Sequence, residues 1–562
     1  MAHVQLMLRL LLLLISCYGY IRCIGKYLRW EFTVGVFFAS VCSTMFLAGI
    51  LNILKEAAWG ICLVGVFLAF RSLLRREPVQ DVLCPGIAAF ILACAVLLPI
   101  IHGLVFTDYD DFSHWGTVVK VLYTQNRFPN FSDSIITYQS YPTGSAAFIY
   151  YMLTVVGIHS EWFQLYVQAV FMVGVLASLF AFVRNWMGWI FAAVMGAVFL
   201  LCSNGLINLL VDTLLPIVAV GGLCICHYYR DSFRRMVLWA VPYLVSLVAI
   251  KNSGILLAIF LLLYALLYFQ EDGICSWLIA SVSPLAALFL WQKHVQLVFD
   301  NGLNSRHAMS VTSITDKFAQ KGLEEVAEVT DIYMNRMLSL SNPALYMLAA
   351  ALILLILLCV LKRETRKDLR KLVVFSVVCY VIYGIGMLGM YLSTMPYGEA
   401  VNLAGFSRYH RTILIFCGAF LYLAAAEAGK EVGETSVAVW ALTALLSYGA
   451  LFPGLWYNNP KHCGFIRIGF EQLITEYRVK PEMRYCVVLD ESTQQYNGYL
   501  KYTIRYLLDS ANMFVGNIDD YEARENGWAG YDYLICFGET AEMDSFLVEQ
   551  FGSAENRVIP RS

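Results

Sequence analysis

The sequence predicts an α-helical polytopic membrane protein with about 14 spans, followed by a small C-terminal α/β domain. Of the 562 residues, 59% are hydrophobic and 14% are charged, and the mean hydropathy is +0.64. A soluble enzyme of this length would carry a more polar surface. The apolar residues are also gathered into runs, many of which approach the roughly 20 residues that a helix needs to cross a bilayer.

The apolar runs account for most of the chain. Residues 1–20 show no clear small-residue cleavage site and lead directly into a second run, so we expect a first span there rather than a signal peptide. Gly144–Ile158 is shorter than the other runs and rich in aromatic residues. The predicted spans are 5–21, 32–54, 58–71, 83–105, 163–183, 187–203, 213–229, 236–250, 253–270, 276–297, 343–361, 372–393, 411–429 and 436–456.

Basic residues in the short loops predict how the chain is threaded. If Gly144–Ile158 does not cross, the basic loops all share one side, which the positive-inside rule makes cytoplasmic. Gly144–Ile158 is then a juxtamembrane or re-entrant helix on the outer face, and 106–162, 298–342 and 394–410 are outer loops. We expect a multi-pass protein of the plasma (inner) membrane. The basic residues are Arg22, Lys26, Arg29, Arg71, Arg75, Arg76, Arg184, Arg230, Arg234, Arg235, Lys430 and those of 362–371.

An acidic segment directly follows one of these spans. Residues 108–115 read Asp-Tyr-Asp-Asp-Phe-Ser-His-Trp, and ionised groups beside hydrocarbon are costly enough to suggest a function. A partly desolvated carboxylate takes a proton from a hydroxyl, and two or three acids together hold a divalent cation. The alternative is a solvated loop whose acids cap a helix. The apolar spacing of Trp115, Val118, Val119 and Leu122 predicts an amphipathic helix lying on the membrane.

Four further residues on the predicted outer face are candidates for the same site. Asp212 is a lone acid that either completes the site or starts a helix. Lys251, at the tip of a hairpin, opposes the positive-inside bias, so it is expected to pair with a phosphate or an acid unless it extends to the headgroups. Arg408 and Tyr409 suit phosphate binding, because a guanidinium grips phosphate in a bidentate way while a ring covers an apolar chain. The neighbouring Arg411 could be a simple topological anchor.

The remaining composition excludes some classes of function. A net charge of −2 gives no case for a nucleic-acid partner, and most of the 16 cysteines lie in apolar runs without the spacing of a metal site. Residues 457–562 change in character. Strands are predicted at 485–490, 511–515 and 531–538, with helices at 499–508 and 541–551 and a closing strand at 557–559. This pattern indicates a small α/β domain with a largely parallel sheet.

The order of these motifs resembles that of the GT-C superfamily of integral-membrane glycosyltransferases, such as the protein O-mannosyltransferases and the bacterial aminoarabinose transferases that modify lipid A. The acidic pair Asp110-Asp111 in the first large outer loop matches the family. The turn Tyr141-Pro142-Thr143-Gly144 matches loosely, with threonine in place of a second proline, and the Arg408-Tyr409 pair opens a later span. The resemblance covers roughly residues 82–430, and three extra spans precede the acidic loop, where the family usually has one.

The resemblance implies a division of the chain. Residues 1–81 would hold additional N-terminal transmembrane helices, 82–456 a GT-C-like catalytic core, and 457–562 an extracytoplasmic domain. The donor would be a polyprenyl-phosphate sugar and the acceptor a glycan, lipid or protein of the cell envelope or a secreted one, with the active site on the outer face. No Gly-rich loop for a nucleotide phosphate precedes the spans, which agrees with a lipid-linked donor.

The resemblance also implies roles for the candidate residues. Asp110, or its neighbour Asp111, would be the general base of an inverting transfer. The other carboxylates would orient the acceptor or hold a divalent cation, Mg²⁺ or Mn²⁺, an alternative left open. Two other functions compete with this one: a transporter or flippase of lipid-linked saccharides, and a polysaccharide polymerase or ligase. The substrate-binding candidates are Asp108, His114, Asp212, Lys251, Arg408 and Tyr409, and the cation ligands would be Asp110, Asp111 and Asp212.

Overall fold

A computed structural model of the chain describes residues 2–76, 82–202, 205–299, 321–357, 363–432, 436–452 and 461–561. The chain forms two compact units. The bundle unit comprises Met1–Leu104, Leu122–Phe128 and Tyr138–Tyr457, and the C-terminal unit comprises Val105–Val121, Pro129–Thr137 and Asn458–Ser562. The predicted junction at 456–457 and residues 300–320 of the predicted loop 298–342 lie outside the described residues.

The bundle unit is built from apolar helices, and every run predicted as a span contains one, which confirms the polytopic helical class. Its helices are α1 (Ala2–Ile24), α2 (Trp30–Ile50), α3 (Leu54–Leu74), α4 (Pro85–Ile101), α6 (Gly144–Val156), α7 (Glu161–Leu176), α8 (Trp186–Leu201), α9 (Val211–Tyr228), α10 (Phe233–Ile250), α11 (Gly254–Leu266), α12 (Ile274–Val298), α13 (Leu323–Leu338), α14 (Ala344–Leu357), α15 (Arg363–Ser393), α16 (Tyr397–Ala400), α17 (Phe406–Val432) and α18 (Ser436–Leu451). Between α4 and α6, α5 (Gly116–Gln125) runs from the C-terminal unit into the bundle unit.

Burial separates central from peripheral helices of the bundle unit. In the described part of the chain, nine helices are long and apolar enough to cross a membrane. Of these, α17 is the most enclosed, with 94% of its apolar window buried, whereas only 17% of the window in α1 is buried. Helices α7 and α9 resemble α17 in burial. The peripheral helices therefore turn apolar side chains outward, as a lipid-facing surface requires.

Helix α6 is the short apolar helix expected over Gly144–Ile158. Nearly all of its residues are buried, and it packs against α1, α2, α3 and α7. With 13 residues it rises roughly 20 Å, well short of the hydrocarbon thickness. It is thus a short helix inside the bundle unit, and its juxtamembrane or re-entrant placement stays a prediction.

The apolar face predicted to lie on the membrane after the acidic segment is also inside the protein. Trp115, Val118, Val119 and Leu122 are all buried. The first of them belongs to a short π-helix, Asp111–Trp115, and the others to α5. The predicted helix is present, but protein rather than lipid covers its apolar side.

The C-terminal unit contains the predicted α/β domain. Its strands are β1 (Tyr485–Leu489), β2 (Met513–Asn517), β3 (Tyr533–Phe537) and β4 (Val558–Pro560), in the order β2-β1-β3-β4. Strand β1 pairs in parallel with β2 and β3, and β4 pairs antiparallel with β3. The largely parallel sheet is thus confirmed. The helices are α19 (Lys461–Glu476), α20 (Asn497–Leu508), α21 (Ile518–Glu522) and α22 (Ala541–Phe551).

A buried carboxylate joins the ends of the two central strands. Asp490, directly after β1, accepts hydrogen bonds from Ser492, from Thr493 and from the backbone N–H of Thr540. Burial alone would raise the pKa of Asp490, but these hydrogen bonds hold it below its ordinary value. Gly538 lies against this carboxylate with φ +143°. A Cβ there would meet the Asp490 carboxyl carbon at 2.1 Å, so only glycine fits.

We expect Gly538→Ala to destabilise the C-terminal unit by about 2–4 kcal/mol, because the added methyl group clashes with Asp490 and the backbone is strained. Limited proteolysis of the full chain in detergent should show earlier cleavage within residues 461–561. Gly498→Ala is the matched control: a Cβ at Gly498 meets nothing within 4 Å, and alanine favours the helix. Equal protease resistance of the two variants would contradict this account of Gly538.

Candidate functional site

The acidic segment begins with a carboxylate that organises its own backbone. The Oδ1 atom of Asp108 accepts a hydrogen bond of 2.9 Å from the N–H of Asp110. The carbonyl oxygen of Asp108 accepts one of 3.1 Å from the N–H of Asp111. This is the local turn that aspartate favours at the start of a helix. The alternative in which the acids cap a helix therefore describes Asp108 well. It does not account for Asp110 and Asp111.

The two following acids differ in burial. Asp111 is completely buried and Asp110 is half-buried. Asp111 opens the π-helix Asp111–Trp115, a rare turn that is frequent at functional sites. Within the pair matched by the resemblance, Asp110 is thus the more exposed carboxylate. Asp111 lies in the interior of the segment.

His114 lies in the same π-helix and is buried, with its ring edge-on to that of Trp115 at 4.6 Å between centroids. Burial lowers the pKa of His114 to about 3, because the imidazolium loses its hydration. The imidazole is therefore neutral at physiological pH. It is suited to hydrogen bonding rather than to pairing with an anionic substrate.

The acidic segment is held by α20 of the same unit. The hydroxyl of Tyr499 donates to the carbonyl oxygen of Thr107 at 3.1 Å, and the Phe112 ring packs on Tyr499 and Tyr506 at 5.7 and 5.3 Å between centroids. Each of these contacts joins residues almost 400 positions apart. The segment thus belongs to a folded domain rather than to a free loop, and its geometry depends on the end of the chain.

An ion pair fixes α5, the helix that follows the acidic segment. The ammonium of Lys120 lies 2.8 Å from a carboxylate oxygen of Asp509 and donates to the carbonyl oxygen of Tyr506 at 2.5 Å. Neither Lys120 nor Asp509 was singled out from the sequence. A signal was present nonetheless, since Tyr499, Tyr502 and Tyr506 recur at helical spacing and give α20 an aromatic face.

A second group of candidates meets at one end of the bundle unit. Helix α9 starts, α10 ends and α17 starts there. The Lys251 ammonium forms an ion pair with Asp212 at 2.7 Å and lies over the ring of Tyr409 at 5.0 Å from its centroid. The hydroxyl of Thr412 donates to the carbonyl oxygen of Asp212 at 3.2 Å. The sequence predicted a phosphate or an acid as the partner of Lys251, and in the structure this partner is the acid Asp212.

Two guanidinium groups add to the positive charge at this end. Both Arg408 and Arg411 interact electrostatically with Asp212. Burial lowers the pKa of Lys251, but the nearby carboxylate of Asp212 outweighs it, so the pKa lies above its ordinary value and the ammonium stays charged. The Asp212 carboxylate thus interacts with the cationic groups of Lys251, Arg408 and Arg411. The sequence suggested only a topological anchor role for Arg411. The structure in addition shows an electrostatic interaction of Arg411 with Asp212.

The Tyr-Pro-Thr-Gly turn supports the hairpin that carries Lys251. The carbonyl oxygen of Ser140 accepts hydrogen bonds from Asn252, at 3.1 Å, and from the Trp291 indole, at 2.9 Å. Gly144 lies so close to Ala249 that a Cβ would come within 2.7 Å of it. The turn therefore has a packing role: it fixes the residues on either side of Lys251.

The candidates thus fall into two sets. Asp212, Lys251, Arg408 and Tyr409 meet in the bundle unit, and Asp108, Asp110, Asp111 and His114 share one segment of the C-terminal unit. Among the described residues, no three His, Cys, Asp or Glu side chains lie together so as to hold a metal ion. Cation binding by Asp110, Asp111 and Asp212 stays a prediction.

No protein-family model matches the chain, and no curated protein matches it. In structure the chain is similar to ArnT from Cupriavidus metallidurans in the apo state, with a TM-score of 0.38 and 12% sequence identity over 83% of this chain and 94% of that one. ArnT is a lipid A aminoarabinose transferase, one of the enzymes that the sequence motifs resemble. At this identity and TM-score, the likeness assigns neither an activity nor a residue role to this chain.

The burial of His114 predicts how stability depends on pH. The unfolded chain takes up a proton near pH 6.5, whereas folded His114 resists it down to about pH 3, so the free energy of unfolding falls as the pH drops through this range. His114→Gln removes the effect. Between pH 7.5 and 5, the melting temperature of the variant should fall less than that of the wild type.

The exposed His102 provides the control for this measurement, because His102→Gln should follow the wild-type pH dependence. If His114→Gln lost as much melting temperature on acidification as the wild type, His114 would have to be protonated in the folded protein.

Proposed function

We propose that this chain is a membrane glycosyltransferase that transfers a sugar from a polyprenyl-phosphate donor to an acceptor hydroxyl, with inversion at the anomeric carbon. The observation that carries the proposal is the cationic group around Asp212 at the end of the apolar bundle. Lys251, Arg408 and Arg411 supply positive charge where polar helix ends meet apolar spans. A ligand with a phosphate head and a hydrocarbon tail has matching chemistry.

The donor phosphate is assigned to Arg408 and Lys251. A guanidinium presents several N–H donors to phosphate oxygens, and the Lys251 ammonium adds a second positive charge. Asp212 has a positioning role, because its ion pair orients the ammonium. Tyr409 lies beneath that ammonium and offers a ring surface to the first apolar atoms of the lipid.

The acceptor is assigned to the acidic segment. Asp110 takes the proton of the acceptor hydroxyl, and the oxygen attacks the anomeric carbon. The bond from that carbon to the phosphate oxygen breaks, and polyprenyl phosphate leaves with the electron pair. Asp110 is favoured over Asp111 because it is half-buried, so it is accessible and also partly desolvated. The group around Asp212 is expected to stabilise the charge on the leaving phosphate.

The side of the membrane is part of the proposal. The acidic segment and the group around Asp212 are assigned to the extracytoplasmic face, on the distribution of basic loops. A lipid-linked donor reaches such a site by lateral diffusion in the bilayer. Activated sugars attached to nucleotides are confined to the other side.

We expect Asp110→Asn to reduce the turnover number by about 10²–10⁴-fold, because the amide cannot accept the acceptor proton. The assay follows the release of polyprenyl phosphate from a panel of polyprenyl-phosphate sugars by the purified chain, with a membrane extract as the source of acceptor. Asp519→Asn, at an exposed carboxylate of the same unit, is the control and should retain activity. Full turnover by Asp110→Asn would remove Asp110 from the mechanism.

Donor binding is tested separately with polyprenyl phosphate itself. Arg408→Gln should weaken its binding by about 10- to 100-fold, because a charge-assisted hydrogen bond is lost. Lys293→Gln removes an exposed lysine near the end of α12 and should bind as the wild type does. Asp110→Asn should also bind normally.

The probe that distinguishes charge from packing is the free polyprenol, which lacks the phosphate. Arg408→Gln and the wild type should bind it equally. If the variant lost affinity for the alcohol and the phosphate alike, Arg408 would be supporting the fold and the phosphate assignment would fail.

A further inference from the structure

The other end of the bundle unit carries a second cationic site. Helix α9, Val211–Tyr228, has 18 residues, a rise of roughly 27 Å, close to the thickness of the hydrocarbon core. At the Tyr228 end, the backbone N–H of Arg29 donates to the Tyr229 hydroxyl at 2.9 Å. The connection between α1 and α2 and the connection between α9 and α10 therefore meet at the membrane face opposite the group around Asp212.

A cavity of about 480 Å³ lies between these two connections. Its lining combines three cations with two aromatic rings: Lys26, Arg234, Arg235, Tyr27 and Trp239, together with Ser232 and Leu238. Among the described residues, none that line it is a carboxylate. The side chains of Tyr27 and Trp239 approach each other at 6.5 Å between ring centroids. The cavity therefore has a cationic wall and an aromatic wall.

Other arginines of the same face contrast with those of the cavity. Arg29 is paired with Glu31 at 2.9 Å, and Arg230 with Asp368 and Glu427 at 3.1 and 3.4 Å. Among the described side chains, Arg234 and Arg235 form no such ion pair, and the guanidinium of Arg235 instead lies over the ring of Tyr229 at 4.6 Å from its centroid. The charges of Arg29 and Arg230 are therefore neutralised by carboxylates within the bundle. The charges of Arg234 and Arg235, at the cavity, are not neutralised in this way.

We propose that this cavity binds the headgroup of an anionic phospholipid. The phosphate would meet Arg234, Arg235 and Lys26, and the Ser232 hydroxyl adds a donor. Leu238 and Trp239 belong to α10, an apolar helix long enough to cross a membrane, so acyl chains leaving the cavity would continue along a lipid-facing surface. Tyrosine and tryptophan suit this depth because each combines an apolar ring with a polar group.

The lipid source is favoured over a free phosphate by the position of the cavity. Basic pockets between transmembrane helices on the cytoplasmic side take lipid headgroups, and the basic loops predict that this face is cytoplasmic. The site is separate from the proposed donor site, since α9 spans the distance between them. It does not depend on the proposed glycosyl transfer.

The test measures binding of phosphatidylglycerol and of phosphatidylcholine to the purified full chain in neutral detergent by native mass spectrometry. The wild type should retain phosphatidylglycerol in preference to phosphatidylcholine. The double variant Arg234→Gln/Arg235→Gln should bind phosphatidylglycerol about 30-fold more weakly, because two cations near the lipid phosphate are lost. Both arginines are exposed, so the variant is expected to fold.

The matched control is Arg75→Gln/Arg76→Gln, which removes two exposed arginines at the end of α3 on the same predicted face but outside the cavity. It should bind phosphatidylglycerol as the wild type does. An equal loss in both double variants would mean that only the general charge of the face attracts lipid and would overturn the proposal. Equal wild-type retention of the two lipids would overturn it as well, as would full displacement of phosphatidylglycerol by equimolar inorganic phosphate.

Discussion

The polar end of the bundle depends on the ion pair between Asp212 and Lys251. It joins the first turn of α9 to the residue that directly follows α10, and Thr412 donates a hydrogen bond from α17 to the backbone carbonyl of Asp212. Both side chains are largely withdrawn from water, with 10% and 19% of their surfaces exposed. Removing one partner from such a pair typically costs about 3–5 kcal/mol, because the other charge is left unpaired in a poor solvent. The pair and the Thr412 hydrogen bond therefore join three helix ends, and the ring of Tyr409 lies beneath the paired ammonium.

The acidic segment shows how neighbouring carboxylates acquire different tasks. The Asp108 carboxylate accepts a hydrogen bond from the backbone. Asp111 is buried at the start of a π-helix, and Asp110, between them, is half-buried. A segment of this kind would be mobile if it were only a loop between spans. Here Tyr499 and the pair formed by Lys120 and Asp509 anchor it to a folded domain. Rigid support of this kind keeps a general base within reach of its proton, so the C-terminal domain has a positioning role in the proposed chemistry.

The sequence predicts what is local in this protein and misses what is long-range. The apolar runs and the strands around Tyr485 and Tyr533 were predictable, because hydrophobic periodicity reflects burial within one element. The pairing of Lys251 with an acid was one of three outcomes that its predicted position allowed, the others being a phosphate and the lipid headgroups. The contact of Tyr499 with Thr107 was not predictable, since nothing local distinguishes an aromatic face that packs on a remote segment from one that packs on its own sheet. For the same reason, the short length of the apolar run at α6 did not predict that the helix is buried.

The arrangement of charge along α9 links the two ends of the bundle. At the end near Asp212, the carboxylate interacts with Lys251, Arg408 and Arg411, and its ion pair with Lys251 fixes the position of the ammonium. At the end near Tyr228, Glu427 accepts contacts from His227, Arg230 and Lys430, and this neutralisation is compatible with a buried location. At the rim of the same end, Arg234 and Arg235 are exposed and, among the described side chains, form no ion pair with a carboxylate. Positive charge without a carboxylate partner is costly to hold beside hydrocarbon unless an anion shares it. Because anionic headgroups are abundant at a membrane surface, the lipid itself is the partner that makes this distribution of charge stable.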